Sequence, residues 1–292
     1  MSALNCVFLL ILFVFFTGRV NAEATIFHYR IGESNNDVRY EYDFAALKLA
    51  LDKTKAQYGE YELKAIPSVN IPRAIEYARK NTFQNLFIKL SYEKSYDSML
   101  KYAHFPVDLG VVGFRVCFVS PLGKELLKSV ENLDQLKSLS HVQGSGWSDV
   151  EILRFNGFKV ETASGYENLF RMIAANRADL FCRGANEIYD EYRIRTSIEN
   201  LNYDTSMAIV YPLPRFFYTN IRNVEAAKRV TKGLERAYSD GSLVSLWEKY
   251  YGENFKFSNL KERRIYRIEN PLLNGLESHF QKYLYPPLKE LK

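Results

Sequence analysis

The turn at residues 144–148 is the stretch of this sequence best suited to hold a ligand. It reads Gly-Ser-Gly-Trp-Ser and follows a short alternating apolar run. A helical pattern begins directly after it, and the free N–H groups and dipole of a helix N-terminus favour an anion there. We therefore expect the turn, with Ser145 and Ser148, to hold a carboxylate or similar group of a small ligand. Trp147 could stack on that ligand or merely cover the cleft. The alternative is an ordinary glycine turn between a strand and a helix.

Two charged residues lie on a predicted buried strand at residues 179–182 and directly after it. Asp179 could accept a hydrogen bond from a ligand amine or hydroxyl, or it could be a strand-end carboxylate exposed to water. Arg183 could pair with a ligand acid or with Glu187 nearby, since either contact would give a strong bidentate interaction. We retain both residues as candidate ligand contacts.

A second set of candidates belongs to the first hundred residues. Glu33, Arg39 and Tyr42 follow the end of a predicted first strand, where ligands bind in parallel sheets. Tyr92 and Lys94 follow a predicted third strand, and Lys94 could equally be a solvated loop lysine. We expect these residues to line the same cleft as the 144–148 turn.

The elements that position the turn alternate between strand and helix. Strands are predicted at residues 140–143, 158–160 and 179–182, with helices between them. Capping boxes, which satisfy free N–H groups at a helix start, are expected for Ser148 with Glu151 and for Ser164 with Glu167. Such alternation is typical of a parallel α/β sheet.

The same alternation is present in the first hundred residues. Strands are predicted at residues 25–30, 61–67 and 86–90, and helices at 45–55 and 71–80. Two long extended runs at residues 107–121 and 207–219 would cross between the two units. Helices are predicted at 224–238 and 243–250, and the tail from residue 254 is expected to pack as surface loop.

The composition fits a globular protein with a large core. The chain has 292 residues, of which 47% are hydrophobic and 15% aromatic, so it is not disordered. The formal charge of +5 comes from interspersed charges without the clustered basic face that nucleic-acid binding requires. We therefore expect no nucleic-acid partner.

The N-terminus, residues 1–22, reads as a secretory signal. Its apolar run is shorter than the roughly 18–20 residues that span a membrane, and Val-Asn-Ala at its end suits a signal peptidase. A single membrane anchor is the alternative. Removal of the segment takes away Arg19 and leaves a charge of +5 − 1 = +4. We expect a periplasmic protein.

Cysteine and histidine usage indicates no metal site. Cys117 and Cys182 remain after signal removal, and an oxidising compartment permits a disulfide between them, while free buried thiols are the other alternative. The 4 histidines show no ligand spacing. No nucleotide-binding motif, nucleophile elbow or acid–base pair of carboxylates is present, so we predict no cofactor and no enzyme activity.

Several short stretches resemble those of a known family, in the same order. Residues 91–94 (Ser-Tyr-Glu-Lys) are similar to its Thr-Pro-Glu-Arg, residues 143–147 to its Gln-x-Gly-Thr turn, and residues 176–179 to its Gly-Arg-x-Asp. Residues 103–106 and 238–242 match two further segments. Over residues 24–252 the chain thus resembles the bacterial extracytoplasmic solute-binding proteins of the polar amino acid type, as a divergent branch.

The resemblance implies an α/β, two-lobe periplasmic-binding-protein type II fold. Each lobe would be a mainly parallel sheet flanked by helices, with two crossing strands as a hinge that closes on the ligand. Residues 23–112 would begin the first lobe, 113–212 would form the second, and 213–292 would return to the first. Lys94 replaces the arginine with which the family grips a carboxylate, so the usual amino acid pose is not expected.

The implied function is capture of a small polar solute, amino-acid-like or another small organic acid, for uptake or sensing. The partners would be the small molecule and an inner-membrane transporter or a sensor receptor, and the protein would be a monomer. One alternative is a periplasmic enzyme, dehydratase- or lyase-like, on the same scaffold. Another is a ligand-binding module that serves sensing only.

Overall fold

A computed structural model describes residues 23–34 and 37–291. The predicted signal, residues 1–22, lies outside the described residues. Strands of two sheets organise the described chain, and each sheet lies at the centre of one lobe.

The first sheet has the strand order β2-β1-β3-β11-β4. β1 is parallel to β2 and β3, whereas β11 is antiparallel to its neighbours β3 and β4. Its strands are Thr25–Tyr29 (β1), Tyr61–Ala65 (β2), Leu86–Ser91 (β3), Leu100–Tyr102 (β4) and Arg215–Asn220 (β11).

The second sheet has the order β12-β10-β5-β8-β6-β7, with β9 paired to β5. β6 is parallel to β7 and β8, and β5 is antiparallel to β8 and β10. Its strands are Phe114–Val119 (β5), Ser140–Gly144 (β6), Lys159–Ala163 (β7), Leu180–Gly184 (β8), Asn202–Tyr203 (β9), Met207–Val210 (β10) and Arg264–Arg267 (β12).

Helices pack against both sheets and bury their apolar faces on them. α1 packs on α9 and α10 beside the first sheet, and α7 packs on β5 to β8 in the second. The helices are Glu41–Asp52 (α1), Lys55–Tyr58 (α2), Ile71–Lys80 (α3), Pro121–Leu127 (α4), Leu133–Ser138 (α5), Ser148–Phe155 (α6), Tyr166–Ala174 (α7), Ile188–Arg193 (α8), Val224–Ser239 (α9), Ser242–Ser258 (α10) and Pro286–Lys289 (α11).

The predicted two-lobe α/β fold, with a sheet flanked by helices in each lobe, is confirmed. The sheets are mixed and not mainly parallel, because β11 in the first sheet and β5 in the second are antiparallel to their neighbours. Residues 103–113 lead from β4 to β5, and residues 211–214 lead from β10 back to β11. These two connections are the crossings between the lobes. Part of the first extended run is instead a short 3-10 turn, Val111–Gly113.

The two predicted capping boxes do not form. The residue before α6 is Trp147, and the Ser148 hydroxyl donates to Glu93 instead. The residue before α7 is Gly165, and the Glu167 carboxylate accepts hydrogen bonds from Arg195. Tertiary contacts outcompete the local caps, because a charged partner binds more strongly than a backbone N–H.

The C-terminal segment is more structured than predicted. β12 pairs in parallel with β10, so the chain after residue 213 does not stay with the first lobe. Leu273, Leu276 and Phe280 then pack against the core of the first lobe, and the Tyr285 N–H donates to Leu109 O in a crossing. The tail therefore runs over the hinge and contacts both lobes.

Cys117 and Cys182 form a disulfide. They face each other in the antiparallel pair of β5 and β8, and both are buried. The sequence left open whether these thiols are free, because their pairing depends on the register between two strands that are far apart in the chain. The structure decides for the bonded form.

His141 on β6 should make the protein sensitive to mild acid. The side chain is fully buried, and burial lowers its pKa to about 4. Its Nε2 has no hydrogen-bond partner among residues 23–34 and 37–291. In the unfolded chain the His141 imidazole binds a proton below about pH 6.5, whereas in the folded state it stays neutral down to about pH 4. The contribution of His141 to the free energy of unfolding is therefore fully present above pH 6.5 and falls as the pH drops towards 4. The loss from this group should reach about 3 kcal/mol.

Urea unfolding at pH 7.0 and pH 4.5 checks this prediction. The difference in unfolding free energy between the two pH values should shrink by roughly 2–3 kcal/mol in His141→Leu. His279→Gln, which changes an exposed histidine, should behave as the parent protein does. An unchanged pH dependence in His141→Leu would contradict the assignment.

Candidate ligand-binding cleft

The carboxyl ends of the parallel strands in both sheets point into one cleft between the lobes. Arg39 follows β1 and Trp147 follows β6, while Arg183 lies at the end of β8. Arg215 begins β11, opposite Ser91 at the end of β3. This placement agrees with the general rule that ligands bind beyond the carboxyl ends of strands in open α/β sheets.

The loop after β1 is held by a small ion-pair cluster. The Arg39 guanidinium donates to Asp37 over 2.6 and 2.7 Å and to Glu33 over 3.3 Å. Arg30 also donates to Glu33, over 3.0 Å. Although burial opposes ionisation, Arg39 lowers the pKa of Asp37. The cluster therefore fixes Arg39 at the cleft wall with its charge already balanced.

Aromatic rings from the second lobe cover the arginines. The Arg39 guanidinium carbon lies 3.7 Å from the Tyr166 ring centroid, and that of Arg183 lies 4.8 Å from the Trp147 centroid. Cation–π contacts of this kind stabilise a cation in a partly desolvated site. Trp147 thus forms a wall of the cleft, as a ligand-stacking role would require.

Arg183 is the centre of a buried ion-pair network. Its Nη2 lies 2.9 Å from Glu187 and 2.8 Å from Glu191. Burial would raise the pKa of Glu187, but Arg183 and its neighbours hold that pKa at about 2. Tyr166 also donates its hydroxyl to Glu191. Arg183 therefore pairs with carboxylates of its own lobe.

Lys89 on β3 lies between two carboxylates of the cleft floor. Its Nζ is 2.5 Å from Asp43 and 2.8 Å from Asp108. Burial, only partly offset by Lys89, raises the pKa of Asp43 to about 6. Asp43 is therefore the carboxylate of this floor that loses its charge in mildly acidic solution.

Arg215 differs from the other cations of the cleft. Its Nη1 lies 3.9 Å from Asp108 and 3.7 Å from Glu187, which is too far for a hydrogen bond. Its Nε is buried and has no partner among the described residues. Within the described chain, the Arg215 Nε donor is therefore unused hydrogen-bonding capacity at the centre of the cleft, as are the buried acceptors Asp43 Oδ1 and Asp108 Oδ2.

A small pocket, here called the central pocket, lies between the two lobes next to Lys89 and Arg215. Four cationic side chains converge on this pocket. Two aromatic rings, one aliphatic side chain and one carboxylate complete its lining. Its lining residues are Arg39, Tyr40, Asp43, Ile71, Lys89, Trp147, Arg183 and Arg215. Both lobes contribute to it, so a molecule bound there would contact both lobes.

The lobes also touch each other directly at the rims of the cleft. The Ser148 hydroxyl donates to Glu93 over 2.6 Å, and the Ser34 hydroxyl donates to Glu167 over 3.1 Å. In both pairs, one residue belongs to the first lobe and the other to the second. The structure is therefore a closed arrangement of the lobes.

The structure brings most of the predicted site residues to the cleft. Ser145 and Glu33 line a second opening, the side pocket, which adjoins the central pocket at Trp147. Ser148 bridges the lobes. Tyr42 is nearly fully buried in the first lobe, where its hydroxyl donates to Val107 O.

Three predicted residues lie elsewhere. Asp179 is at the amino end of β8, the end away from the cleft, and its carboxylate accepts the N–H and hydroxyl of Ser140, each over 2.7 Å. Tyr92 is buried in the core of the first lobe. Lys94 is 62% exposed and pairs with Asp97. None of the three lines the central pocket, so a ligand-contact role does not fit their positions.

Sequence reasoning missed four central charges: Lys89, Asp43, Asp108 and Arg215. A lysine inside the apolar strand Leu86–Ser91 was the available signal, because a buried cation requires buried carboxylates. Arg215 followed two prolines at the start of a predicted crossing. Its position gave no comparable signal.

Metal binding and membrane insertion are two further points on which the described residues can be judged. Within residues 23–34 and 37–291, no group of three histidine, cysteine, aspartate or glutamate side chains is placed to hold a metal ion. In the same part of the chain, no helix is long and apolar enough to cross a bilayer.

The fold defined by these two sheets and two crossings is that of the two-lobe periplasmic binding proteins. An ancestral arginine-binding protein bound to arginine has a TM-score of 0.59 and 12% identity, with 80% of this chain and 100% of that chain covered. The ligand-binding core of GluR0 from Nostoc punctiforme, in complex with L-glutamate, has a TM-score of 0.57 and 13% identity, with 78% and 99% covered.

A third similar structure comes from work on glutathione import in Streptococcus mutans through GshT and a cystine ABC importer. It has a TM-score of 0.56 and 15% identity, with 78% of this chain and 95% of that chain covered. No protein-family model and no curated protein matches the sequence. At these identities the likeness shows the fold.

Proposed function

We propose that the protein is a periplasmic solute-binding protein that captures a small organic solute through its acid group. The solute would lie between the two lobes, with its acid group in the central pocket and the rest of the molecule in the side pocket, and would serve uptake or sensing. Two of the similar solved structures are complexes with an amino acid, one with arginine and one with L-glutamate. Arginine and L-glutamate are ligands of those two proteins. The charged groups in the cleft of the present protein support a contact between Arg215 and an acid group.

The observation that carries the proposal is that the buried Nε of Arg215 has no hydrogen-bond partner within the described residues, and that Asp108 and Glu187 lie 3.9 and 3.7 Å from its Nη1, beyond hydrogen bonding. An arginine binds a carboxylate through two parallel N–H donors, and such charge-assisted bonds are among the strongest in proteins. Although burial opposes its charge, Glu187 and Asp108 raise the pKa of Arg215, so it stays protonated. A ligand acid would satisfy donors that the protein leaves unused.

The proposed mechanism is a population shift between open and closed lobes. A ligand held by Arg215 from the first lobe and by Trp147 from the second contacts both lobes and so favours the closed state. The Ser148–Glu93 and Ser34–Glu167 contacts would then seal the cleft. The closed form would present a surface to an inner-membrane transporter or a sensor receptor.

Thermal denaturation with a panel of small organic acids tests the proposal. At a concentration about 100 times the dissociation constant, a bound acid should stabilise the protein by roughly 2.7 kcal/mol and raise its melting temperature by about 5 °C. Calorimetry should then give micromolar-range binding, and small-angle scattering should show compaction. If no acid in a broad panel shifts the melting temperature, the proposal fails.

The enzyme alternative makes a different prediction in the same experiment. A dehydratase- or lyase-like protein would convert the bound acid, whereas a binding protein would return it unchanged. Following the acid by NMR in the presence of stoichiometric protein separates the two. We expect the spectrum of the acid to remain that of the added compound.

A further inference from the structure

The carboxylates around the central pocket already have cationic partners. Each lies within 3 Å of an arginine or lysine nitrogen of the protein. The pairs are Asp37 with Arg39, Asp43 and Asp108 with Lys89, Asp149 with Arg115, and Glu187 and Glu191 with Arg183. A positively charged group of a ligand would therefore have to compete with a cation of the protein for any of these oxygens.

Arg215, unlike these carboxylates, has no protein partner within 3 Å in the part of the chain that the structure describes. It lies beside Asp108 and Glu187 at distances beyond hydrogen bonding, and its buried Nε has no partner in the described chain. A buried donor left unsatisfied is costly, and a ligand oxygen placed there removes that cost. Two carboxylate oxygens nearby, Asp43 Oδ1 and Asp108 Oδ2, also make no hydrogen bond among the described residues. Lys89 Nζ lies 2.5 Å from Asp43 Oδ1, however, and Asp108 does not line the central pocket. An acid can therefore reach the donors of Arg215 directly, whereas an ammonium group would have to displace Lys89 from Asp43.

The walls of the central pocket add to this difference between an acid and an ammonium group. Arg39, Lys89, Arg183 and Arg215 all line it, and its one carboxylate, Asp43, is held by Lys89. An ammonium group in this space would meet the N–H donors of these four side chains in a poorly hydrated site, where a donor that faces other donors stays without a partner. A hydroxyl or carbonyl at the same position carries no such penalty.

We infer that the solute is an organic acid without an ammonium group, such as a 2-hydroxy or 2-oxo acid, and not an amino acid. This inference rests on the proposed function and names its substrate class. The acid group binds Arg215. The neighbouring hydroxyl or carbonyl oxygen lies towards Arg39 and Trp147, and the rest of the molecule extends into the side pocket.

Matched pairs of ligands test the inference by calorimetry at pH 7. Each pair has the same side chain and differs only in the 2-substituent: lactate and alanine, 2-hydroxyglutarate and glutamate, phenyllactate and phenylalanine. In the pair that binds, the hydroxy acid should bind at least about tenfold more tightly, since an unpaired charge in a buried site costs more than this. An amino acid that binds more tightly than its hydroxy acid overturns the inference and leaves the proposed function intact.

Binding of neither member of any pair, or of the corresponding 2-oxo acids, would overturn the proposed function together with the inference. Asp43→Asn gives a second readout, because it removes a negative charge from the pocket. The ion pair between Lys89 and Asp108 remains in this variant. Binding of the acid should tighten severalfold in this variant. A loss of affinity in Asp43→Asn would show that the ligand offers a cation to Asp43, contrary to the inference.

Discussion

Replacing Arg215 with methionine should weaken binding of the acid about 100-fold or more. Methionine keeps the length and packing of the side chain but removes both donors of the fork, and each hydrogen bond to a charged group contributes roughly 1.5–3 kcal/mol. The protein itself makes no hydrogen bond to the Arg215 side chain within the described residues. The loss should therefore fall on binding, with a change in unfolding free energy of about 1 kcal/mol or less.

Two further variants make this result specific. Arg215→Lys keeps the charge but loses the bidentate geometry, so we expect an affinity about tenfold below that of the parent protein. Arg222→Met removes an exposed arginine just after the end of the same strand and should leave calorimetric binding unchanged. An Arg215→Met protein that binds the acid within threefold of the parent would remove Arg215 from the site.

The two-lobe fold could be predicted because each lobe repeats a strong local pattern. Short apolar strands alternate with helices such as Ile71–Lys80, whose cap Asn70 and closing Asn81 are visible in the sequence. The strand β12 could not be predicted in the same way. It is four residues long, and Tyr266 is its one buried residue. Only its pairing with β10, more than fifty residues earlier, makes it a strand.

The candidate site could be predicted in part, and for a physical reason. The rule about carboxyl ends of strands finds Arg39, Trp147 and Arg183, because Arg183 lies at the end of β8 and the other two lie in the segments that follow β1 and β6. Asp179 was assigned to the site from its likeness to a family motif, but strand polarity places it at the other end of β8. Arg215 lies on an antiparallel strand, whose amino end reaches the cleft, and the rule for parallel strands does not extend to it.

Removing the charge of Arg183 should destabilise the fold by about 3–5 kcal/mol, because Arg183→Met leaves two buried carboxylates without their cation. Glu187 and Glu191 are 7% and 1% exposed, so water cannot replace the guanidinium. The loss should be smaller at low pH, because Arg183 is what holds the pKa of Glu187 near 2 against the effect of burial. In Arg183→Met that pKa rises, and the carboxyl takes up a proton instead of remaining an unpaired charge.

Urea unfolding at pH 7 and pH 4 measures both effects, and two control variants accompany it. Arg193→Met breaks an exposed pair with Asp190, 3.2 Å long, and should cost less than about 1 kcal/mol. Combining Arg183→Met with Glu187→Gln and Glu191→Gln removes the stranded charges and should recover most of the lost stability. If the triple variant is no more stable than Arg183→Met, packing of the arginine, and not charge compensation, supports this end of the cleft. The ion pair would then stabilise the site less than its short distances indicate.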